Sequence, residues 1–439
     1  MALINLFIER ETNSFTNEIS ILDLCTNLGF IIPHYCYHYN LSIAGNCRMC
    51  LVELNANKKP IASCAIDSSV GMNIQTKSKL VERAREGIFE FLLVNHPLDC
   101  PVCDQGGECD LQDESLTYGN DRGRFYNIKD LKRSLTDFFI SPVIKVILSR
   151  CIYCTRCVRF LGEVDGKKQL GLLGRGNLSE IGVYTERNII TELGSTITDF
   201  CPVGALTIKT YAYKYRAWEE LYIESIDLND SLCSSIRIYS DYKTITRVLP
   251  QYDVELGISW INDKTRHIID NLRYKQLGYP LFRDSKLLIK NILLNIALRY
   301  INNEKIYGVY RIKSFLGDDL DILTLLQLKE LSFIAGSNYI YNFTENLLFT
   351  RSELVNEDFD SNYIFRVKNL REFKNIFLIN VNLRRENPIL NAKLRQKVLW
   401  QRNIRLFFLG SKVNLTYKYK NIGNSIKIFL GMVEGRHHY

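Results

Sequence analysis

Three cysteines stand two residues apart in "CIYCTRCVRF": Cys151, Cys154 and Cys157. Thiolates at that spacing wrap an iron–sulfur cubane, which takes four ligands. In the bacterial ferredoxin run the next cysteine comes three residues later and the motif closes on a Cys-Pro pair. Here that position is Leu161, and the next cysteine is Cys201, in "CPVGAL". In a two-cluster ferredoxin each motif lends its last cysteine to the other cluster. Cys201, followed by Pro202, is then the fourth ligand for Cys151, Cys154 and Cys157. Counting back from Cys201 by the same spacing reaches Ile197, Gly194 and Thr191, none of them a usual ligand for cluster iron. The segment therefore keeps one [4Fe–4S] site where the parent arrangement holds two. The rival reading, three cysteines plus an exogenous ligand, leaves the placement of Cys201 without a purpose.

Two further sets lie upstream. Cys36, Cys47, Cys50 and Cys64 follow the plant-type [2Fe–2S] pattern with a longer first loop. Gly45 before the C-x-x-C pair lets backbone amides approach the inorganic sulfides. Cys25 has no ligand spacing and reads as a small buried hydrophobe. His34 and His38 flank Cys36 and take supporting or surface roles, because the four-cysteine set is already complete. The other set is His96, Cys100, Cys103 and Cys109, in "NHPLDCPVCDQGGEC". Three cysteines and a histidine suit a structural zinc ion as well as a cubane. Gly106 and Gly107 favour the bulkier cluster slightly, because it needs open backbone around it, and zinc stays open on spacing alone. In a cluster, the neutral imidazole leaves less negative charge on the iron and raises the potential.

The elements that position these sets are legible in outline. "LINLFIE" alternates as a strand, and "SILDLCTNLGF" reads as a helix ending at Gly29, the start of a β-grasp unit. "KLVERAREGIFEFLLVN" is a helix that places Val81, Ala84, Ile88, Phe91 and Leu92 on one face. Further on, "LLIKNILLNIALRYI" at 287–301 reads as a core-facing helix, and "DILTLLQLKELSFI" is another helix. "NIFLINV", "PILNAKLRQKVLW" and "IRLFFLG" form a βαβ unit whose helix opens on Pro388.

Bulk properties bound the rest. The chain has 439 residues, 46% of them hydrophobic and 24% charged. That length suits roughly two to four domains. The net charge of +8 is spread along the chain and does not point to nucleic acid. No apolar run is long enough to span a bilayer, and "MALINLFIERETNS" resembles neither a signal nor a transit peptide. Twelve of thirteen cysteines precede residue 202, and only Cys233 follows. Repeated C-x-x-C pairs in a long chain fit metal better than an extracellular disulfide framework. Neither a dinucleotide-binding glycine motif nor a P-loop is evident. Three adjacent redox centres without a substrate site describe a conductor.

"PHYCYHYNLSIAGNCRMCLVEL", "AREGIFEFLLVNHPLDCPVCDQGGECDLQD" and "RCIYCTRCVRF…CPVGAL", with "AWEELYIESIDLNDSL" and "WINDKTRHIIDNLR", resemble in order the large iron–sulfur subunits of respiratory complex I, the proton-pumping NADH:ubiquinone oxidoreductase. The resemblance covers about residues 1–275 and is weaker beyond. It implies a [2Fe–2S] cluster on Cys36, Cys47, Cys50 and Cys64. It implies [4Fe–4S] clusters on His96, Cys100, Cys103 and Cys109, and on Cys151, Cys154, Cys157 and Cys201. It also implies that electrons arrive from a flavin-bearing partner at the binuclear centre, then pass through the all-cysteine and His-ligated cubanes toward quinone-side subunits.

The fold it implies is α+β multidomain. A [2Fe–2S] ferredoxin-like β-grasp domain spans 1–78, a helical His/Cys-ligated [4Fe–4S] domain 79–137, and a ferredoxin-like [4Fe–4S] domain 138–215. A shortened molybdopterin-oxidoreductase-like α/β domain without cofactor spans 216–439. No molybdopterin, flavin or extra cubane is expected, since Cys233 stands alone there. The resemblance and the AT-rich type of composition place the protein on the matrix side of the mitochondrial inner membrane, in the peripheral arm, with the bacterial cytoplasmic membrane face as the alternative. Relatives continue past "VEGRHHY", so a second chain is expected to supply the remainder or the remainder is lost; either leaves an apolar surface for a partner. His437 and His438 read as a frayed end. The rivals are a zinc-stabilised scaffold, an iron-only hydrogenase relative and a molybdenum formate dehydrogenase relative. Cysteine poverty after Cys201 opposes the last two.

Overall fold

Strands β1 (Ile4–Ile8) and β2 (Glu11–Phe15), helix α1 (Ile21–Asn27) and strands β3 (Leu51–Leu54), β4 (Ile61–Ala62) and β5 (Asn73–Gln75) build the first layer. Their sheet runs β2-β1-β5-β3-β4, with β1 and β5 parallel and the other pairs antiparallel. Ser20 caps α1 by accepting the Asp23 amide at 3.1 Å, and Gly29 leaves the helix with φ +85°. The helix buries Ile21, Leu22, Leu24 and Cys25 against Ile8, Val52, Ala62 and Ile74. This is the expected β-grasp arrangement, and Cys25 sits inside its core as an apolar residue.

In this computed structural model the described residues are 4–8, 11–15, 19–55, 59–125, 134–176, 179–183, 188–252, 258–270, 373–400 and 404–436, with short pieces between 281 and 342. Of the expected helix at 287–301 only Asn295 and Arg299 are described, both helical, and His437 and His438 lie outside the described residues.

Helix α2 spans Lys79–Asn95, as its sequence predicts, and starts at Ser78, which accepts the Val81 amide. Its buried stripe is Val81, Arg85 and Phe89, at four-residue spacing. Phe91, expected on that face, is 72% exposed. At 3.6 residues per turn Phe91 points nearly opposite Phe89, and only one of the two can face the core. Phe89 packs edge-on against Tyr35, and Arg85 donates to the Leu51 carbonyl at 2.8 Å, which ties α2 to β3. Helix α3 (Asp110–Tyr118) begins directly after Cys109.

The third layer holds β6 (Ile144–Val146), α4 (Arg156–Arg159), β7 (Leu170–Leu173), β8 (Glu180–Val183), α5 (Thr196–Phe200) and β9 (Leu206–Ile208). Antiparallel pairing of β6 with β9 brings the segments before Cys151 and after Cys201 together. Helix α4 widens into a π-helical stretch, Phe160–Asp165, that ends at Gly166 with φ +86°. Leu161 and Ile197, two positions that a second cubane would need as ligands, are fully buried in a core with Phe160, Phe200 and Trp260. Apolar packing occupies those positions.

Strands β10 (Leu221–Ile226), β11 (Ser235–Ser240) and β12 (Ile245–Pro250) follow as an antiparallel meander. Near the chain's end, Asn375–Ile379, Arg405–Leu409 and Lys420–Gly423 form a parallel sheet, with helix Pro388–Trp400 crossing over. This is the expected βαβ unit. Asn387 caps its helix by accepting the Leu390 amide at 2.9 Å. On the edge strand, Phe377 and Ile379 are exposed.

By contacts the chain divides into two units, Met1–Ile269 with Val367–Tyr439, and Asp270–Arg366. In the second, parallel strands Ser314–Leu316 and Ile340–Asn342 flank helix Ile322–Ile334, which the sequence anticipates. Among the described residues no helix is long and apolar enough to cross a membrane.

Candidate metal centre

The first set converges. Cys36, Cys47, Cys50 and Cys64 are all buried where the β-grasp core meets the loop after Tyr35. The Sγ atoms of Cys36 and Cys47 stand 3.4 Å apart, and the Cys36 amide donates to the Cys47 sulfur at 3.4 Å. Sulfur hydrogen bonds also link Cys64, as donor, to Cys36 and to Cys50. Those from Cys47 and Cys64 hold the Cys36 thiol far below its usual range, and Cys64 brings Cys50 down to about 7. The partners Cys47 and Cys64 are pushed up in turn. Gly45 at φ +64° and Arg48 at φ +56° turn the backbone twice within the loop. Such turns aim successive amides into one concavity, a device suited to anionic sulfur.

The third set lines one apolar pocket. Cys151, Cys154, Cys157 and Cys201 share it with Ile140, Leu148, Ile181, Val203 and Leu206. Tyr153 (φ +55°) and Thr155 (φ +59°) flank Cys154 in the left-handed region, which winds the cysteines inward. Amides serve the sulfurs: Tyr153 donates to Cys151 at 3.4 Å, Arg156 to Cys154, and Val203, Leu206 and Ala205 to Cys201. Burial nonetheless pushes the Cys154 and Cys201 thiols up to about 11, and raises Cys157 well above the usual thiol range. Bare thiolates are disfavoured in so apolar a pocket, whereas a positively charged core makes them stable there. The donor set fits an iron–sulfur cluster.

The second set is the most open. His96 ends α2, Cys100 and Cys103 lie on the following turn, and Cys109 precedes α3. Cys103 and Cys109 are buried and Cys100 is exposed. Burial, then the neighbouring Cys103, pushes Cys109 up to about 11. The two glycines play a different part from the one expected. A Cβ on Gly106 would meet the Arg216 guanidinium at 2.7 Å, and one on Gly107 the Trp218 ring at 2.6 Å. They make room for the segment after β9, where Arg216 donates to the carbonyls of Cys103 and Pro101. Among the described residues no three histidine, cysteine or carboxylate side chains close on a point as ligands of one bare ion do.

The three sets meet. One apolar cluster contains Cys36 and Cys47, Cys109, and Cys154, with Cys151 and Cys201 packed against it around Met49, Phe89 and Val203. The turn after Cys201 touches the second set: the Cys109 sulfur lies 3.9 Å from the Pro202 carbonyl, and Gly204 lies against Cys103. Between the first and third sets, Asn46 donates to the Tyr153 carbonyl at 3.5 Å. His34 and His38 are partly buried on either side of Cys36. The Nδ1 of His34 lies 2.8 Å from the Ile32 carbonyl, and its amide donates to Glu114. His38 stacks on Tyr39 and meets Phe200 at 4.4 Å, while burial, then Arg156 and Arg159, hold it neutral down to about pH 3.

Several positioning residues went unremarked in the sequence: Arg156, Arg159, Arg216, Trp218 and Gly204. Arg156 and Arg159 stand in plain view beside Cys157, but which carbonyls they reach is a tertiary fact. Cys233 is exposed and far in sequence from every other cysteine.

Family models match almost the whole chain in succession. "2Fe-2S iron-sulfur cluster binding domain" covers residues 2–79, and "NADH-ubiquinone oxidoreductase-G iron-sulfur binding region" 85–124. "NADH-quinone oxidoreductase subunit 3, ferredoxin-like domain" covers 141–207, and "NADH-ubiquinone oxidoreductase NDSU1/NuoG-like, 4Fe-4S domain" 221–270. "Molybdopterin oxidoreductase" covers 292–439. The 221–270 match carries a cluster in its description, yet in this chain that stretch holds only Cys233.

The chain is 42% identical over 446 residues to the NADH-ubiquinone oxidoreductase 75 kDa subunit of Reclinomonas americana, covering 99% of this chain and 64% of that protein. It is 39% identical to the mitochondrial NADH dehydrogenase [ubiquinone] iron-sulfur protein 1 of Solanum tuberosum, covering 99% and 58%. It is 38% identical to an NADH-quinone oxidoreductase subunit of Rickettsia typhi, covering 100% and 64%. The chain thus spans under two thirds of the length of these relatives. A solved NAD+-reducing [NiFe]-hydrogenase chain aligns at 26% identity and TM-score 0.42 over 48% of this chain and 90% of that one, too slight a likeness to argue from.

Proposed function

The chain belongs to the family of the NADH-ubiquinone oxidoreductase 75 kDa subunit and its bacterial NADH-quinone oxidoreductase counterparts, and from that premise we propose that it is an electron-relay subunit of respiratory complex I. It carries a [2Fe–2S] cluster on Cys36, Cys47, Cys50 and Cys64. It carries [4Fe–4S] clusters on His96, Cys100, Cys103 and Cys109, and on Cys151, Cys154, Cys157 and Cys201. When bound, these groups supply reversible one-electron transfer. The chain's own residues fix their spacing, exclude water from the buried thiolates and aim amides at sulfur. The chain has no substrate site of its own in this reading, and no molybdopterin, flavin or extra cubane.

The observation that carries the proposal is the single apolar cluster uniting ligands of all three sets, with the third set touching both others. The order binuclear centre, all-cysteine centre, His-ligated centre, from an NADH- and flavin-bearing partner toward a ubiquinone-reducing module, is the one the family resemblance implies. The division into 1–78, 79–137, 138–215 and 216–439 follows the same reading, each of the first three stretches serving one set. The partners are the other complex I subunits. The setting is the matrix side of the mitochondrial inner membrane, in the peripheral arm, or the cytoplasmic face of a bacterial membrane. Anaerobic reconstitution of Cys154→Ser tests it: one tetranuclear EPR signal should vanish and two signals remain. Three unchanged signals would remove Cys154 from the ligands and the proposal with it.

A further inference from the structure

Arg156, Arg159 and Glu163 recur three and four residues apart along α4 and its π-helical continuation, and they share one face. All three grip the loop 36–42. Arg156 donates to the Tyr37 carbonyl at 2.7 Å. Glu163 accepts the Ser42 amide at 2.9 Å and the Ser42 hydroxyl. Arg159 lies between them and does more. Its Nη1 donates to the Ser42 carbonyl, and its Nη2 donates both to the Cys36 carbonyl and, at 3.2 Å, to the Cys154 carbonyl. Its Nε is held by the Thr155 hydroxyl at 3.2 Å. Of these three side chains, only Arg159 is bonded to a cysteine of the first set and to one of the third.

The planar fork of a guanidinium is what allows one side chain to bridge several fixed carbonyls. Its charge lies beside both loops, since the same nitrogen donates to a carbonyl of each. A cation held in a low-dielectric region stabilises added negative charge nearby. Resting on the reading of Cys36 and Cys154 as cluster ligands, we propose that Arg159 is the positioning residue of the junction between the first and third sets. It locks the two cysteine loops at one spacing and favours the reduced state on both sides of the gap. Arg156 and Glu163 hold the same loop through residues that are not ligands, so they serve packing without reaching both sets.

The test uses the full chain, purified and reconstituted anaerobically, with potentiometric titration followed by EPR. Arg159→Gln should retain all three signals while the midpoint potentials of the binuclear and all-cysteine centres both fall and that of the His96 set stays put. Arg159→Lys, which keeps the charge, should hold both potentials near those of the unmodified chain. Glu163→Gln, which loosens the same loop, should lower neither. Unmoved potentials in Arg159→Gln, an Arg159→Lys chain that drops as the Gln chain does, or an equal drop in Glu163→Gln would each overturn the role. Should the Gln chain lose iron, the Lys chain decides: unchanged potentials sustain the role and lowered ones overturn it. An unmodified chain without iron would instead overturn the cluster reading itself, a result distinguishable from any effect of Arg159.

Discussion

Gly204 lies so close to Cys103 that a Cβ built on it would stand 2.3 Å from that sulfur. Two segments thus meet across about a hundred positions of sequence: the turn after the last cysteine of the third set, and a cysteine of the second. Arg150 reinforces the turn by donating to the Gly204 carbonyl at 3.4 Å and to Asp99 at 2.9 Å.

Gly204→Ala should therefore displace Cys103 and damage the His96 set selectively. The expected result is loss or broadening of one tetranuclear EPR signal, with the binuclear signal intact. An unchanged spectrum would mean that the contact is too soft to matter.

His96→Cys exchanges a neutral ligand for a thiolate. The added negative charge should lower the midpoint potential of that centre while iron content holds. Loss of the whole centre would show that the geometry at the end of α2 outweighs ligand charge.

Arg247 is buried between Glu220, at 2.8 Å, and Glu108, at 2.7 Å, and lies over the rings of Tyr211 and Tyr239. Glu108 immediately precedes Cys109, so β12 braces the second set through this one guanidinium. Arg247→Met leaves the fully buried Glu220 without its cation and should cost about 3–5 kcal/mol. Chemical denaturation checks this, and a change within ±0.5 kcal/mol would contradict it.

Asp165 is 8% exposed, and burial raises its carboxyl to about 6, with Lys167 opposing. A folded-state pKa above the unfolded value of about 3.9 gives stability that is fully present below pH ~4 and lost as pH rises through about 6. Asp165→Asn should accordingly be more stable than the unmodified chain at pH 7.5, on the order of 2–3 kcal/mol, and the difference should shrink toward pH 5. Urea titrations at the two pH values measure it. A pH-independent difference would exclude the titration of Asp165 as its cause.

The three cysteine-rich sets were legible because cysteine spacing is a local property, and the strand, α1, α2 and the βαβ unit because hydrophobic period is one too. Cys201 was reached by a pseudo-repeat argument, and the buried Leu161 and Ile197 accord with it. What escaped the sequence is tertiary. Phe91 and Phe89 are equally apolar, and only packing against Tyr35 selects between them. Gly106 and Gly107 looked like space for a cluster, but the bulk they admit is Arg216 and Trp218, more than a hundred residues downstream. Arg159 carries no local signal distinguishing a solvated helix face from a bridge between two loops.

Iron and acid-labile sulfide, counted per polypeptide on the anaerobically purified chain and paired with low-temperature EPR after reduction, address the conductor reading most directly. One binuclear and two tetranuclear centres predict about ten irons per chain and three distinct signals. A colourless, EPR-silent chain that holds zinc at these cysteines would contradict the account.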